Sequence, residues 1–176
     1  MIALGIDPGF ASFGWAAVRI DERRIEALGV IRTAKSPKKQ SVFAADDNLR
    51  RAREIADRLY GVINLWKPAV ICAEAMSFPR SASNAAKMAM GWGIVATLDL
   101  PLVQASPQAI KKAVCGMGSA SKAEVIAAVM GWCAPGNAPD IGKLPVPRSQ
   151  HEHCFDAAAA VIACADSDVV RAATRR

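Results

Sequence analysis

The apolar residues of this chain change their spacing once, near Asp46, and the change separates a part that can only form strands from a part that alternates helix and strand. Residues 2 to 7, Ile-Ala-Leu-Gly-Ile-Asp, are a nearly unbroken apolar run stopped by Pro8-Gly9, a pair suited to a tight reversal. Phe13 to Ile20 and Arg24 to Thr33 are β-rich and are separated by the polar Asp21-Glu22-Arg23, which predicts an antiparallel meander of three strands. Lys35-Ser36-Pro37-Lys38-Lys39 follows as a basic loop. From Asp46 onward Leu49, Ala52, Ile55, Leu59, Val62 and Trp66 recur every three or four residues behind an acidic first turn, the pattern of an amphipathic helix.

Ala69 to Ala73 is short and wholly apolar, as a strand covered on both faces must be, and Glu74 stands at its end. Helices are expected over 84 to 98 and 107 to 114 on either side of a strand at Leu102 to Ala105, and over 121 to 132 behind a Ser121/Glu124 capping box. A loop rich in Pro and Gly spans 133 to 149. The last helix, about His151 to Ala165, has an Ala-rich interior that allows close approach to a sheet. The expected fold is therefore α/β: a mixed five-stranded sheet, three antiparallel strands and then parallel ones, with helices on both faces.

With 176 residues, 52% of them hydrophobic, the chain can bury one substantial core, so residues 1 to 170 are read as a single domain and 171 to 176 as a flexible basic tail. No apolar run approaches the roughly 20 residues that cross a bilayer, and neither a signal peptide nor a membrane anchor is expected. Five cysteines without any C-x-x-C fit reduced core thiols in the cytoplasm rather than a disulfide framework or a zinc ribbon. The 22 Lys and Arg exceed the 16 Asp and Glu, a formal +6 that favours a polyanionic partner without identifying one.

Asp7 lies in Gly5-Ile6-Asp7-Pro8-Gly9 with Gly14 beyond, a carboxylate at a strand end beside a turn where backbone can approach phosphate. Taken alone it is as well explained by the turn. Glu74 alters that reading, because a second acid at the end of a buried strand has to be solvated, paired or metal-bound. His153 and Asp156, three apart, share one face at the start of the last helix; alone, they would serve as a helix cap. Zinc on His151, His153 and Cys154 is the poorer reading, since adjacent helical positions diverge. Three carboxylates and an imidazole suit a hard divalent ion such as Mg²⁺, with Mn²⁺ as substitute, in phosphodiester hydrolysis.

With these residues in view, the sequence resembles the RuvC family of Holliday-junction resolvases along nearly its whole length. The matching stretches are Gly5 to Gly9, Ala69 to Glu74, Ser106 to Lys122 and His153 to Ala158. The resemblance implies an RNase H-like fold and a homodimer that makes paired nicks in four-way DNA junctions, with a branch-migration helicase as a further partner. It implies metal binding and catalysis by Asp7, Glu74 and Asp156, with His153 at a position where relatives carry Asp or His. Lys111 and Lys122 match basic positions that face DNA; Phe78, Arg80 and Lys87 are added as DNA-contacting candidates. The location it implies is bacterial cytoplasm, for a cellular or a bacteriophage gene.

Two departures mark the chain as a divergent, phage-type member. Ser77 stands where many relatives place an aromatic wedge, with Phe78 next to it, and Gly91-Trp92-Gly93 replaces a basic Ala-Arg-Gly; Trp92 is expected to fill core. Three other readings remain: a junction-binding protein without activity, an actin-like nucleotide-binding protein, for which the chain is short and lacks a phosphate loop, and a related factor acting on ribosomal RNA precursors.

Overall fold

The computed structural model describes residues 1–77 and 81–174. Strands β1 (Ile2–Asp7), β2 (Ser12–Arg19) and β3 (Arg24–Arg32) form the expected meander, and β4 (Val70–Glu74) and β5 (Leu102–Ala105) extend it in parallel. The order across the sheet is β3-β2-β1-β4-β5. Among the described residues six helices accompany it: α1 (Ala44–Trp66), α2 (Ala82–Ala96), α3 (Pro107–Cys115), α4 (Lys122–Trp132), α5 (His151–Cys164) and α6 (Asp168–Thr174). This mixed sheet, flanked by helices, is an RNase H-like fold.

Local signals set the helix ends. Ser81, Ser106 and Ser121 each accept a hydrogen bond from the backbone N–H three residues on, and at Ser121 the Glu124 side chain completes the box. Helix α1 starts at Ala44, two residues before the acidic turn, and Phe43 precedes it without a side-chain cap. The loop from 133 to 149 contains the 3-10 turn Ile141–Lys143, and a second turn, Arg148–Gln150, leads straight into α5. Helix α6 continues across the start of the basic tail, with Val170 buried beneath it. All five cysteines are free, and four of them are buried.

The two faces of the sheet are packed differently. On one, α1 and α2 supply Ile55, Leu59, Ile94 and Val95 against Leu4, Ile6, Phe13 and Ile71. Trp92 joins this layer half-buried, as expected, although its Nε1 has no hydrogen-bond partner among the described residues. On the other face, α5 lies on β1 and β2 between α3 and α4, and Ala157 to Ala160 are fully buried. Its approach is set by two glycines. A Cβ at Gly5 would come within 2.0 Å of the Ala157 carbonyl oxygen, and one at Gly14 within 2.1 Å of the His153 carbonyl oxygen. Backbone therefore meets backbone here, and the start of α5 is pinned beside the end of β1.

Candidate active site

Strand direction gathers the acids. β1 and β4 run parallel with Gly5 opposite Cys72 and Ile6 opposite Ala73, so one further residue along each strand sets Asp7 alongside Glu74. The register of β1 with β2 pairs Asp7 with Gly14, and Gly14 is the residue against which the His153 backbone packs. His153 then reaches Asp7 directly: its Nδ1 donates to Asp7 Oδ2 at 2.9 Å. One turn further along α5, Asp156 faces the same end of the sheet.

The electrostatics of the group follow from this placement. Burial, and after it the charges of Asp7 and Asp156, push Glu74 up to about 7, with Lys111 and His153 pulling the other way. Burial and then Asp7 push Asp156 up to about 6, opposed by His153 and Lys122. The hydrogen bond that His153 donates to the Asp7 carboxylate raises the imidazole. Half-buried carboxylates that resist ionising beside one another are short of positive charge, and a hard divalent cation is the group that their oxygen chemistry fits. Among the described residues, no three His, Cys, Asp or Glu side chains are gathered closely enough to hold a metal ion.

The candidate DNA-contacting residues are distributed unevenly. Lys111, on α3, is half-buried and close enough to lower Glu74. Lys122, the first residue of α4, is ion-paired with Glu152. Lys87 is half-buried on α2, away from the acids and beside the loop that precedes α1. Phe78 and Arg80 lie outside the described residues, and Ser77 is exposed. His151 serves the fold: buried, it donates from Nε2 to the Val146 carbonyl at 2.9 Å, and the Cys154 thiol bonds the His151 carbonyl.

Sequence reading missed two residues. Glu152 joins Lys122 to the site, with its other oxygen 3.6 Å from His153 Nε2; nothing in the local sequence separates it from an ordinary first-turn acid. Arg51 is only 3% exposed, and its guanidinium donates to the Thr33 hydroxyl and to the Phe10 carbonyl while lying 4.5 Å above the Phe10 ring. It thereby ties down the segment that follows Asp7. A signal for Arg51 was present, because Asp47, Arg51, Ile55 and Leu59 are spaced by four along the buried stripe of α1.

Comparison with known proteins agrees with this geometry. The family model "Crossover junction endodeoxyribonuclease RuvC" matches residues 3–134. RuvC of Prochlorococcus marinus is 33% identical over 136 residues, covering 74% of this chain and 82% of that one. RuvC of a Synechococcus species is 35% identical with the same coverage. Among solved structures, T. thermophilus RuvC in complex with Holliday junction substrate superposes with a TM-score of 0.71 at 26% identity, covering 94% of this chain and 93% of that chain. Strand order, clustered acids and sequence agree: the chain belongs to the RuvC family, the crossover junction endodeoxyribonucleases.

Proposed function

We propose that this protein is a structure-selective endonuclease that resolves Holliday junctions and related branched DNA by metal-dependent hydrolysis. The observation that carries the reading is the group of half-buried acids at one end of the sheet, with His153 hydrogen-bonded to Asp7. Asp7, Glu74 and Asp156 would hold Mg²⁺, for which Mn²⁺ would substitute, with His153 beside them on Asp7. Once bound, the ion offers Lewis-acid stabilisation of the phosphoryl oxygens and a more acidic water.

The chain's own residues do the rest. With Nδ1 of His153 engaged by Asp7, the ring is oriented and Nε2 is the nitrogen left to take a proton from the attacking water. Lys111 and Lys122 both offset the charge of the acids, Lys111 at Glu74 and Lys122 at Asp156, and are the cations nearest the site for a substrate phosphate. Asp7 and Glu74 lie within or beside strands inside the family match, whereas His153 and Asp156 follow its last residue and rest on their geometry with Asp7.

Four-way junctions cut by paired nicks call for two such sites, and a homodimer supplies them, with a branch-migration helicase as a further partner. Residues 1–170 form one nuclease unit to which the basic end, 171–176, is attached. A cytoplasmic location in a bacterium, for a cellular or phage-encoded protein, accords with free cysteines; no helix among the described residues is long and apolar enough to cross a membrane.

The test is cleavage of labelled four-way, three-way and linear DNA with Mg²⁺ or EDTA. Branched DNA is expected to be cut only with the metal, and Asp7→Asn to lower the rate by at least about a thousandfold, the scale of losing transition-state charge stabilisation. Equal cutting of linear duplex, or an active Asp7→Asn protein, defeats the proposal.

A further inference from the structure

The basic loop after β3 has no part in the site just described, yet it leaves the sheet at the same end. β3 runs antiparallel to β2, and β2 to β1, so Arg32 finishes level with Ser12 and close to the turn that follows Asp7. Thr33 is bonded to that turn on both sides: its N–H donates to the Ala11 carbonyl and its hydroxyl to the Phe10 carbonyl. Two strand spacings, about 10 Å, separate β3 from β1. That is less than the roughly 12 Å width of a major groove.

The loop is held to α1 at one point. The Ser36 N–H and hydroxyl both donate to Asp47, which also pairs with Arg50. The Asp47 charge is thereby taken up within the fold. Lys35 and Lys39 are exposed, Lys87 faces the loop from α2, and none of the three is ion-paired with a carboxylate among the described residues. Between loop and helix runs an open cavity of about 320 Å³, lined by Lys35, Ser36, Val42, Asn48, Ser83 and Lys87. Ser41, which also lines it, takes a positive φ of 46°, and Phe43, between the lining residues Val42 and Ala44 in the chain, is 80% exposed. An exposed aromatic ring on the same loop as exposed lysines offers what a nucleic-acid strand uses, a face for a stacked base and cations for its phosphates.

We propose that the cleft between residues 35–44 and the start of α2 is a second DNA contact, where Lys35, Lys39 and Lys87 bind the backbone of a strand leaving the branch point and Phe43 stacks on its unpaired base. The proposal rests on the nuclease reading and deepens it by naming where the substrate is held away from the acids. Fully paired linear duplex has no free base face, so Phe43 contributes to discrimination whereas the lysines act on any DNA.

The experiment is binding of the purified protein in EDTA to a four-way junction, a linear duplex and a single strand, as a function of salt. Removing all three lysines (Lys35→Ala with Lys39→Ala and Lys87→Ala) is expected to weaken binding to every form and to lower the salt slope by about 2 to 3, near 0.9 for each phosphate no longer neutralised. Phe43→Ala is expected to weaken junction and single-strand binding by about tenfold, the scale of one base–aromatic stack, leave duplex binding within about twofold, and be rescued by Phe43→Trp. An unchanged salt slope in the triple variant overturns the backbone contact. Equal loss on duplex and junction, or no loss, in Phe43→Ala overturns the stacking role. If the wild-type protein does not prefer the junction, the nuclease reading falls together with this one; if it does and the variants match it, only the second contact falls.

Discussion

The two faces of the sheet achieve burial by opposite means. Beneath α1 and α2 the contact is made by large side chains, Phe13, Ile55 and Leu59 among them, and space is filled by shape. Beneath α5 small residues make the closest approach, with backbone against backbone at Gly5 and Gly14, while Phe155 and Val161 fill the space beside them. Long side chains tolerate small shifts of a helix, because they can change rotamer. A backbone contact does not. The functional groups His153 and Asp156 stand on the helix whose position is fixed most tightly, as a site that needs sub-ångström placement requires.

That contrast is easiest to break with one substitution on each face. Gly14→Val drives a side chain into the His153 backbone and is expected to lower the cleavage rate by at least about a hundredfold through misplacement of the imidazole. Leu59→Ala, on the opposite face, is expected to cost about 2–5 kcal/mol of stability while cleavage, measured well below its Tm, stays within about threefold of wild type. Equal rate losses in the two variants would remove the distinction between a positioning face and a filling face.

Arg51 is the exception that sharpens it, since it is where the α1 face reaches the segment after Asp7. Arg51→Met removes the donor to the Thr33 hydroxyl and one of the two donors to the Phe10 carbonyl, a cost of about 1–3 kcal/mol, and is expected to slow cleavage by about tenfold. Arg51→Lys should recover little of either, because an ammonium lacks the planar fork that serves both acceptors. Denaturation midpoints beside single-turnover rates separate the two effects.

The smallest effect concerns pH. Glu74 and Asp156 have folded values raised to about 7 and about 6 from 4.5 and 3.8, and His153 is raised as well. A raised folded value means that the native state binds protons more tightly, so this stability is complete below about pH 4 and is lost as pH rises through 6 and 7. Metal-free protein should therefore melt a few degrees lower at pH 8 than at pH 5.5, and Mg²⁺ should raise the Tm more at pH 8. Glu74→Gln should flatten the dependence, whereas the α1 face, where hydrogen bonds from Ser36 and Arg50 hold Asp47 down to about 2, should add none between pH 5.5 and 8. A Tm independent of pH and Mg²⁺ would speak against clustered acids.

Much of this was legible in the sequence for reasons that can be traced to particular residues. The strand ends at Asp7 and Glu74 were visible because each apolar run stops at a charge, and α4 was visible because Ser121 and Glu124 reciprocate hydrogen bonds within one turn. Those are local signals. Glu152 was not legible, since its partner Lys122 is brought to it by the packing of α4 on α5. Nor was the role of His151, which depends on a loop turning Val146 back towards it.

What the sequence determined by itself is the set of elements, their polarity along the chain, the acids that end them and, through its resemblance, the family. Those properties reside in periodicity and neighbouring residues, and they need no knowledge of the distances between segments. Only the tertiary structure decided that His153 reaches Asp7, that Lys122 is held by Glu152, and that Arg51 secures the turn after Asp7. Each is a contact between residues far apart in the chain, settled by how elements pack, and for His153 on Asp7 the closeness comes from the absence of side chains at Gly5 and Gly14.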